Sequence, residues 1–312
     1  MYSCEGVVGI DNTPPELTAV SIMPSTSPVG AGGMIALSFS ASEPLSSGTN
    51  VTVEGKQMQL ACSTDRDCTG TFVVTPGMAA ASPALFQISF SDVVGNPGVA
   101  RSSTTDYTSV LIDTIPPAVS NVVLHADSDY LGVGATITMT FDISKPITSV
   151  SVLIQDEVIS PMCTSSTCSA TLTVTDISMN GPVVLSITDP VDLAGNTGVA
   201  VSQTTDPHNI QIDTGFPTIR SLSITTDGVL EGRAKTGDVI TVTFTPSEPL
   251  SPGTTVQIAG EPAADVTCAA GGACTATHTV VDGDNQGEVA IEVQFSDLSG
   301  NEGSPVSDVT DG

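Results

Sequence analysis

The sequence predicts an all-β chain of three like modules in tandem, each a two-sheet sandwich of about seven strands. Three observations carry this. A signature recurs as Ile10-Asp11-Asn12-Thr13-Pro14-Pro15, Ile112-Asp113-Thr114-Ile115-Pro116-Pro117 and Ile212-Asp213-Thr214-Gly215-Phe216-Pro217, its isoleucines 102 and 100 residues apart. A period of that size is one small domain per copy. Between copies, apolar residues alternate with Thr and Ser at a period of two, and turn residues punctuate the runs. Finally, the chain has 21 Pro, 29 Gly and no Trp, which suits short strands around small cores.

Residues 1–12 read as the last strand of a preceding copy, with Val7, Val8 and Ile10 as its apolar residues. The repeats then span 13–114, 115–214 and 215–312, the last without its closing strand. Each opens after the signature prolines, which cannot donate to a sheet ladder. In repeat 1, Leu17 to Ile22 reads as the first strand and Pro24 to Gly33 as a loop. Ile35-Ala36-Leu37-Ser38-Phe39-Ser40 then alternates as a half-buried strand does. The same strand returns at Ile137–Phe141 and Ile240–Phe244. A proline turn follows in each copy: Ser42-Glu43-Pro44-Leu45, Ser144-Lys145-Pro146-Ile147 and Ser247-Glu248-Pro249-Leu250.

Third strands are expected at Val51–Val53, Val150–Ile154 and Thr255–Ile258. Beyond them a Cys pair closes a hairpin. Alternating strands at 86–90, 184–187 and 291–295 lead into a fixed loop, Asp92-Val93-Val94-Gly95-Asn96, Asp192-Leu193-Ala194-Gly195-Asn196 and Asp297-Leu298-Ser299-Gly300-Asn301. Gly-Asn is expected to supply both positive-φ residues of a hairpin turn, after which an antiparallel last strand returns to the signature.

The Ile-Asp-Thr-x-Pro-Pro signature with the Asp-x-x-Gly-Asn loop resembles the bacterial-type immunoglobulin-like repeats of large cell-surface proteins. The resemblance covers all three copies and implies a seven-strand immunoglobulin-like sandwich, repeated into a rod. It is specific for fold and array, and such repeats serve many functions. Two features depart from antibody domains: there is no core Trp, and the Cys pairs are local. Cys-bearing arrays of algal flagellar-hair (mastigoneme) proteins are similar as well.

Charge excludes some partners. With 7 Lys and Arg against 34 Asp and Glu, the net charge is −27. That argues against nucleic acid and anionic membrane surfaces and is compatible with cations. No apolar run is long enough to cross a membrane as a helix, and no signal peptide opens the chain, so Met1 is read as a boundary and not the natural start. Six of the seven Cys form close pairs at one place in each repeat: Cys62 and Cys68, Cys163 and Cys168, Cys268 and Cys274. Local pairs in repeated sandwiches read as disulfides in an oxidising, extracellular setting. The competing reading is half a zinc site, for which the chain offers three scattered His and no repeat a second Cys pair. Cys4 is left over.

One site hypothesis has geometry behind it. The last strand of a sandwich ends at the pole facing the next domain, where that domain's Asp-x-x-Gly-Asn loop lies. This pairs Asp11 with Asp92, Asp113 with Asp192, and Asp213 with Asp297. The Ser-Glu-Pro turn adds Glu43 and Glu248, while Lys145 stands at the middle joint. Clustered carboxylates and carbonyls are what calcium takes. The other reading is that each Asp only holds its own turn. Asn50-Val51-Thr52 is an N-glycosylation sequon.

No reaction is legible. His125 and His208 stand in repeat 2 and His278 in repeat 3, at non-equivalent positions, so no triad assembles, and His278 is expected at the surface or a sheet edge. The expected role is structural: an extracellular stalk, spacer or filament segment at a cell surface, its partners neighbouring repeats. The alternative is an adhesion module for a glycan or protein. For that reading the candidate patch is the apolar loop Gly77 to Pro83, since Tyr2, Tyr107 and Tyr130 are scattered. Residues 6–12 of one chain, completing repeat 3 of the next by strand addition, would join copies head to tail. An array cut out of register accounts for the same facts.

Overall fold

The computed structural model describes residues 9–176, 178–206, 209–230, 232–269 and 272–307. Among these, every regular element is a strand. Repeat 1 holds β1 (Leu17–Pro24), β2 (Met34–Ala41), β3 (Asn50–Val53), β4 (Lys56–Gln57), β5 (Gln59–Cys62), β6 (Asp67–Val73) and β7 (Phe86–Ser89). Repeat 2 holds β8 (Val119–His125), β9 (Tyr130–Leu131), β10 (Thr136–Ile143), β11 (Ile147–Ile154), β12 (Glu157–Ile159), β13 (Met162–Thr164), β14 (Thr167–Thr173), β15 (Gly181–Pro182), β16 (Leu185–Asp192) and β17 (Gln211–Ile212). Repeat 3 holds β18 (Ile219–Thr226), β19 (Val239–Pro246), β20 (Thr255–Ile258), β21 (Glu261–Pro262), β22 (Val266–Cys268), β23 (Cys274–Thr279) and β24 (Ile291–Gln294).

Each repeat forms the same two main sheets, and repeat 2 adds a small third one, β15-β17-β9. In repeat 1 the orders are β1-β2-β6-β5 and β4-β3-β7; repeats 2 and 3 reproduce them as β8-β10-β14-β13 with β12-β11-β16, and β18-β19-β23-β22 with β21-β20-β24. The four-stranded sheet has the A-B-E-D order of an immunoglobulin-like sandwich, and the other sheet carries a short extra strand beside C. The chain is therefore three immunoglobulin-like sandwiches in tandem.

The alternation read from the sequence sets the faces. Ile35, Leu37 and Phe39 of β2 are buried, as are Ile137, Met139 and Phe141 of β10 and Ile240, Val242 and Phe244 of β19. Their Thr and Ser neighbours face outward. Burying each such side chain contributes about 1.5–3 kcal/mol. The buried apolar residues form three separate clusters, one per repeat. Nothing in this pattern merges the segments into one core.

Cys62–Cys68, Cys163–Cys168 and Cys268–Cys274 are disulfides. Each joins residues directly opposite across a hairpin, so it ties the edge strand of the four-stranded sheet to its inner neighbour. Cys68, Cys168 and Cys274 face the core, and their partners are exposed.

Several details differ from the sequence reading. The last strand is not one antiparallel strand. After the Asp-x-x-Gly-Asn loop the chain pairs through single residues, Ile88 with Arg101 and Ile187 with Val201. It then crosses the pole, where β17 runs parallel to β9 and Ile112 bridges Val29 in parallel. In the loop itself only the glycines, Gly95, Gly195 and Gly300, have positive φ; Asn96, Asn196 and Asn301 do not. The tight hairpins after β3, β11 and β20 instead turn on Glu54-Gly55, Gln155-Asp156 and Ala259-Gly260, all at positive φ. In the loop from Gly77 to Pro83 only part of the apolar surface faces outward: Met78 is buried in the core of repeat 1 and Ala81 pairs with Ile112, while Ala79, Ala80 and Pro83 are exposed. His278 is not a surface residue; its ring is mostly buried and lies 2.9 Å from Asp284 Oδ2. Cys4, Tyr2, His208, residues 6–8 of the strand-addition segment and the end of repeat 3 from residue 308 fall outside the described residues.

Candidate metal centre at the repeat junctions

At each junction the structure brings together the two aspartates that the sequence reading paired. The loop aspartate is held first. Asp92, Asp192 and Asp297 are buried. Asp92 Oδ1 accepts the backbone N–H groups of Val94 (3.0 Å), Gly95 (2.6 Å) and Asn96 (2.8 Å). Asp192 Oδ1 accepts Ala194 and Asn196, both at 2.9 Å, and Asp297 Oδ1 accepts Ser299 (2.8 Å) and Asn301 (2.9 Å). The side-chain-to-backbone role is thus real, and it leaves Oδ2 of each carboxylate turned toward the junction.

The loop asparagine then spans the joint. Asn196 Nδ2 donates to Asp192 Oδ2 at 3.0 Å and to the carbonyl of Asp113, in the signature of the preceding repeat, at 2.8 Å. Asn301 does the same to Asp297 Oδ2 and the Asp213 carbonyl, both at 2.8 Å, and Asn96 to Asp92 Oδ2 (2.6 Å) and the Asp11 carbonyl (3.1 Å). This explains why Asn follows Gly although its φ is ordinary: the side chain is what the joint uses. The signature aspartate turns on itself, with Asp11 Oδ1 accepting Thr13 N–H and Asp113 Oδ1 accepting Ile115 N–H at 3.0 Å each.

The third residue comes from the proline turn, and here the joints divide. Asp11, Glu43 and Asp92 each offer a carboxylate oxygen within 4.8 Å of the others, and so do Asp213, Glu248 and Asp297. In the middle joint the same place holds Lys145. Its Nζ lies 2.9 and 2.8 Å from the two oxygens of Asp113 and 3.1 Å from Asp192 Oδ2, and it also donates to the carbonyl of Ile115. Asp113 and Asp192, expected among metal ligands, are ion-paired with this ammonium instead.

Titration follows the same division. Burial pushes the Glu43 carboxyl up, the charges of Asp11 and Asp92 push it further, and Arg66 offsets this only in part. Glu248 is raised likewise by burial and by Asp213 and Asp297. In the middle joint burial acts against both charged groups, but the Lys145–Asp113 and Lys145–Asp192 bonds outweigh it, so Lys145 sits above its ordinary value. Asp192 lies below the usual carboxylate range: burial raises it, and the bonds from Asn196 and Lys145 more than offset this. The middle joint therefore holds an ammonium bonded among its carboxylates, and in the outer joints the raised glutamates show that acidic charge outweighs basic.

The acidic triads fit a hard cation. Calcium takes oxygens at about 2.3–2.6 Å, so oxygens that share it lie within about 5 Å of one another. Asn50, the sequon residue, opens β3 with its side chain exposed. Sequence reading missed two glycine positions. Gly98 and Gly303, two residues past the loop Asn, lie beneath the rings of Phe90 and Phe295, and Gly30 and Gly132 lie against the loop of the following repeat. Their signal was present as repetition at fixed offsets.

No protein-family model and no curated relative matches this sequence. Among solved structures, the chain is similar to a three-immunoglobulin-domain segment of titin carrying an E-to-A mutation, at 11% identity, covering 95% of this chain and 96% of that one with a TM-score of 0.45. It is also similar to the Escherichia coli adhesin FdeC, at 13% identity, 97% and 100% coverage and a TM-score of 0.36. A third likeness is to fibronectin(III)-like modules of Clostridium thermocellum CbhA, at 17% identity, 62% and 93% coverage and a TM-score of 0.29. Overlaps of this size carry no functional conclusion.

Proposed function

We propose that this chain is an extracellular spacer, a segment of stalk or filament at a cell surface, whose repeats are held in line by a cation at every joint. In the middle joint the cation is the ammonium of Lys145. In the outer joints it is calcium, held by Asp11, Glu43 and Asp92 and by Asp213, Glu248 and Asp297. The observation that carries this reading is the exchange at one position: where the protein supplies a positive charge the site closes on it, and where it supplies Glu three carboxylates converge. The carbonyls of Thr13 and Gly215, equivalent to that of Ile115, are further oxygen ligands by the same correspondence. Calcium bound there would link the signature of one repeat to two turns of the next and so stiffen the rod.

Three disulfides in one chain support an oxidising, extracellular location. An exposed sequon at Asn50 suits glycosylation on a secretory route. Neighbouring repeats, of the same or an identical chain, are the partners this reading needs. Thermal unfolding at low salt tests it: calcium should raise the melting temperature relative to chelator. Equal melting in both would remove calcium from the joints.

A further inference from the structure

Every repeat makes the same four-residue turn at the pole that faces its successor. In repeat 1, Gly33 N–H donates to the Gly30 carbonyl at 3.1 Å and Gly32 N–H to the Val74 carbonyl at 2.7 Å. Repeat 2 repeats this with Ala135 to Gly132 at 3.2 Å and Gly134 to Val174 at 2.9 Å. In repeat 3, Asp238 donates to Lys235 and Gly237 to Val280, both at 2.9 Å. Positions 30, 132 and 235 are thus one corner of the fold. The third residue of the turn is glycine with φ of 84°, 89° and 95°, which the turn itself requires. The first residue is outside the positive-φ region in all three repeats, so the turn makes no such demand there, and Lys235 occupies it.

What demands glycine at 30 and 132 is the following repeat. A Cβ on Gly30 would lie 2.1 Å from the carbonyl oxygen of Ala194 and 3.3 Å from Asn196 Oδ1. On Gly132 it would lie 2.5 Å from the carbonyl oxygen of Ser299 and 3.2 Å from Asn301 Oδ1. These obstacles belong to the Asp-x-x-Gly-Asn loop, whose backbone is pinned by the buried Asp192 or Asp297. The loop cannot retreat without breaking those bonds. Lys235 brings not only a Cβ but a long side chain, whose Nζ is held 2.7 Å from Asp238 Oδ1 at the same corner.

We propose that this corner decides whether a further copy of the module docks: glycine at 30 and 132 admits the next repeat into close contact, and Lys235 closes repeat 3 to one. Whatever module follows repeat 3 meets it at a wider spacing than the two joints within this chain. The run of close-docked repeats ends there.

Residual dipolar couplings on the full chain test this. Repeats 2 and 3 of the wild type should share one alignment tensor. Gly132→Lys should give them two, and Gly132→Ala, which adds only the Cβ, tests the same contact with a smaller change. Unaltered amide protection in β8 to β16 will show that repeat 2 still folds, as the same turn does with Lys235. Lys235→Gly should leave both joints unchanged. Repeat 3 is tested directly by continuing the chain after Ser307 with residues 103–214. The added copy should align independently with Lys235 in place and jointly with Lys235→Gly. A common alignment of repeats 2 and 3 in Gly132→Lys, or joint alignment of the added copy despite Lys235, would overturn the proposal.

Discussion

Lys145 Nζ lies 2.8 Å from Asp113 Oδ2, a carboxylate that arrives from the preceding repeat, while its other acidic partner, Asp192, belongs to its own. One side chain thus neutralises acids from both sides of a joint. Lys145→Met removes it and leaves the buried Asp192 without its counter-charge. We expect a loss of about 1–3 kcal/mol, the scale of a hydrogen bond to a charged group, read by urea unfolding of repeat 2. Wild-type Lys145 is also raised above its ordinary value. A basic group raised on folding contributes stability that is complete below its unfolded value and lost as pH climbs through the raised one. Above neutrality this joint should therefore weaken only in strongly alkaline solution, and on the acid side only as Asp192 protonates below the ordinary aspartate value.

Lys145→Glu makes the middle joint like its neighbours. It should lower stability in chelator, where three carboxylates then converge, and restore it with calcium. Calorimetric titration of the variant should show one more binding site than the wild type. An unchanged number of sites would separate the turn position from cation binding.

The acid side of the pH profile has two opposed parts. Glu43 and Glu248 are raised on folding, so in chelator their share of stability is complete below the ordinary glutamate value and lost as pH rises through the raised values. Asp92 is lowered: burial raises it, and the bonds from Asn96, Gly95 and Val94 outweigh that. Its share, like that of Asp192, is present above the ordinary aspartate value and lost as pH falls through the depressed one. Without calcium, melting temperature should peak in mild acid and fall toward neutrality. Calcium should abolish the fall, and so should Glu43→Gln with Glu248→Gln, which also removes the calcium response.

Much of this was legible in the sequence, for physical reasons. Strand faces follow from period two, so Ile35, Leu37 and Phe39 and their counterparts could be placed in the core before any coordinates. The pairing of Asp113 with Asp192 followed from which pole a sandwich's last strand reaches. What escaped was carried by atoms whose partners lie about 80 residues away, as Asn196 and the Asp113 carbonyl do. Asn reads locally as a turn former, and its service as a bridge shows only when the next repeat is docked. Gly30 escaped for the same reason, since its neighbour is the backbone of Ala194. The hairpins at Gln155-Asp156 and Ala259-Gly260 were hidden because non-glycine residues take positive φ there. His278 was misread because its partner Asp284 sits in a loop that no periodicity marks.

The asparagine bridge gives its own test. Asn301→Ala deletes the donor that ties Asp297 to the Asp213 carbonyl, and leaves both acceptors in a mostly buried joint. The cost should be about 1–3 kcal/mol, borne by the coupling of repeats 2 and 3. Asn301→Asp keeps the shape, replaces a donor by a third acceptor and adds charge. It should cost more in chelator than the alanine change and less once calcium is present. Proteolysis at residues 213–217 should report both.

The disulfides act within a repeat and not across a joint. Cys163 and Cys168 are directly cross-strand on β13 and β14, with Cys168 in the core. At the tip of their hairpin the Ser166 carbonyl accepts the N–H of Ile143 (2.7 Å), two residues before Lys145 of the middle joint. Closing so short a loop stabilises repeat 2 by about 2 kcal/mol through the entropy of the unfolded chain. Replacing both by serine should lower its unfolding free energy by at least that much, because Cys168 is buried and a serine hydroxyl there must find a partner. The calcium response of the outer joints should be untouched. If it disappeared, hairpin and joint would be coupled through β10, the strand that pairs with β14 and whose end leads into the turn bearing Lys145.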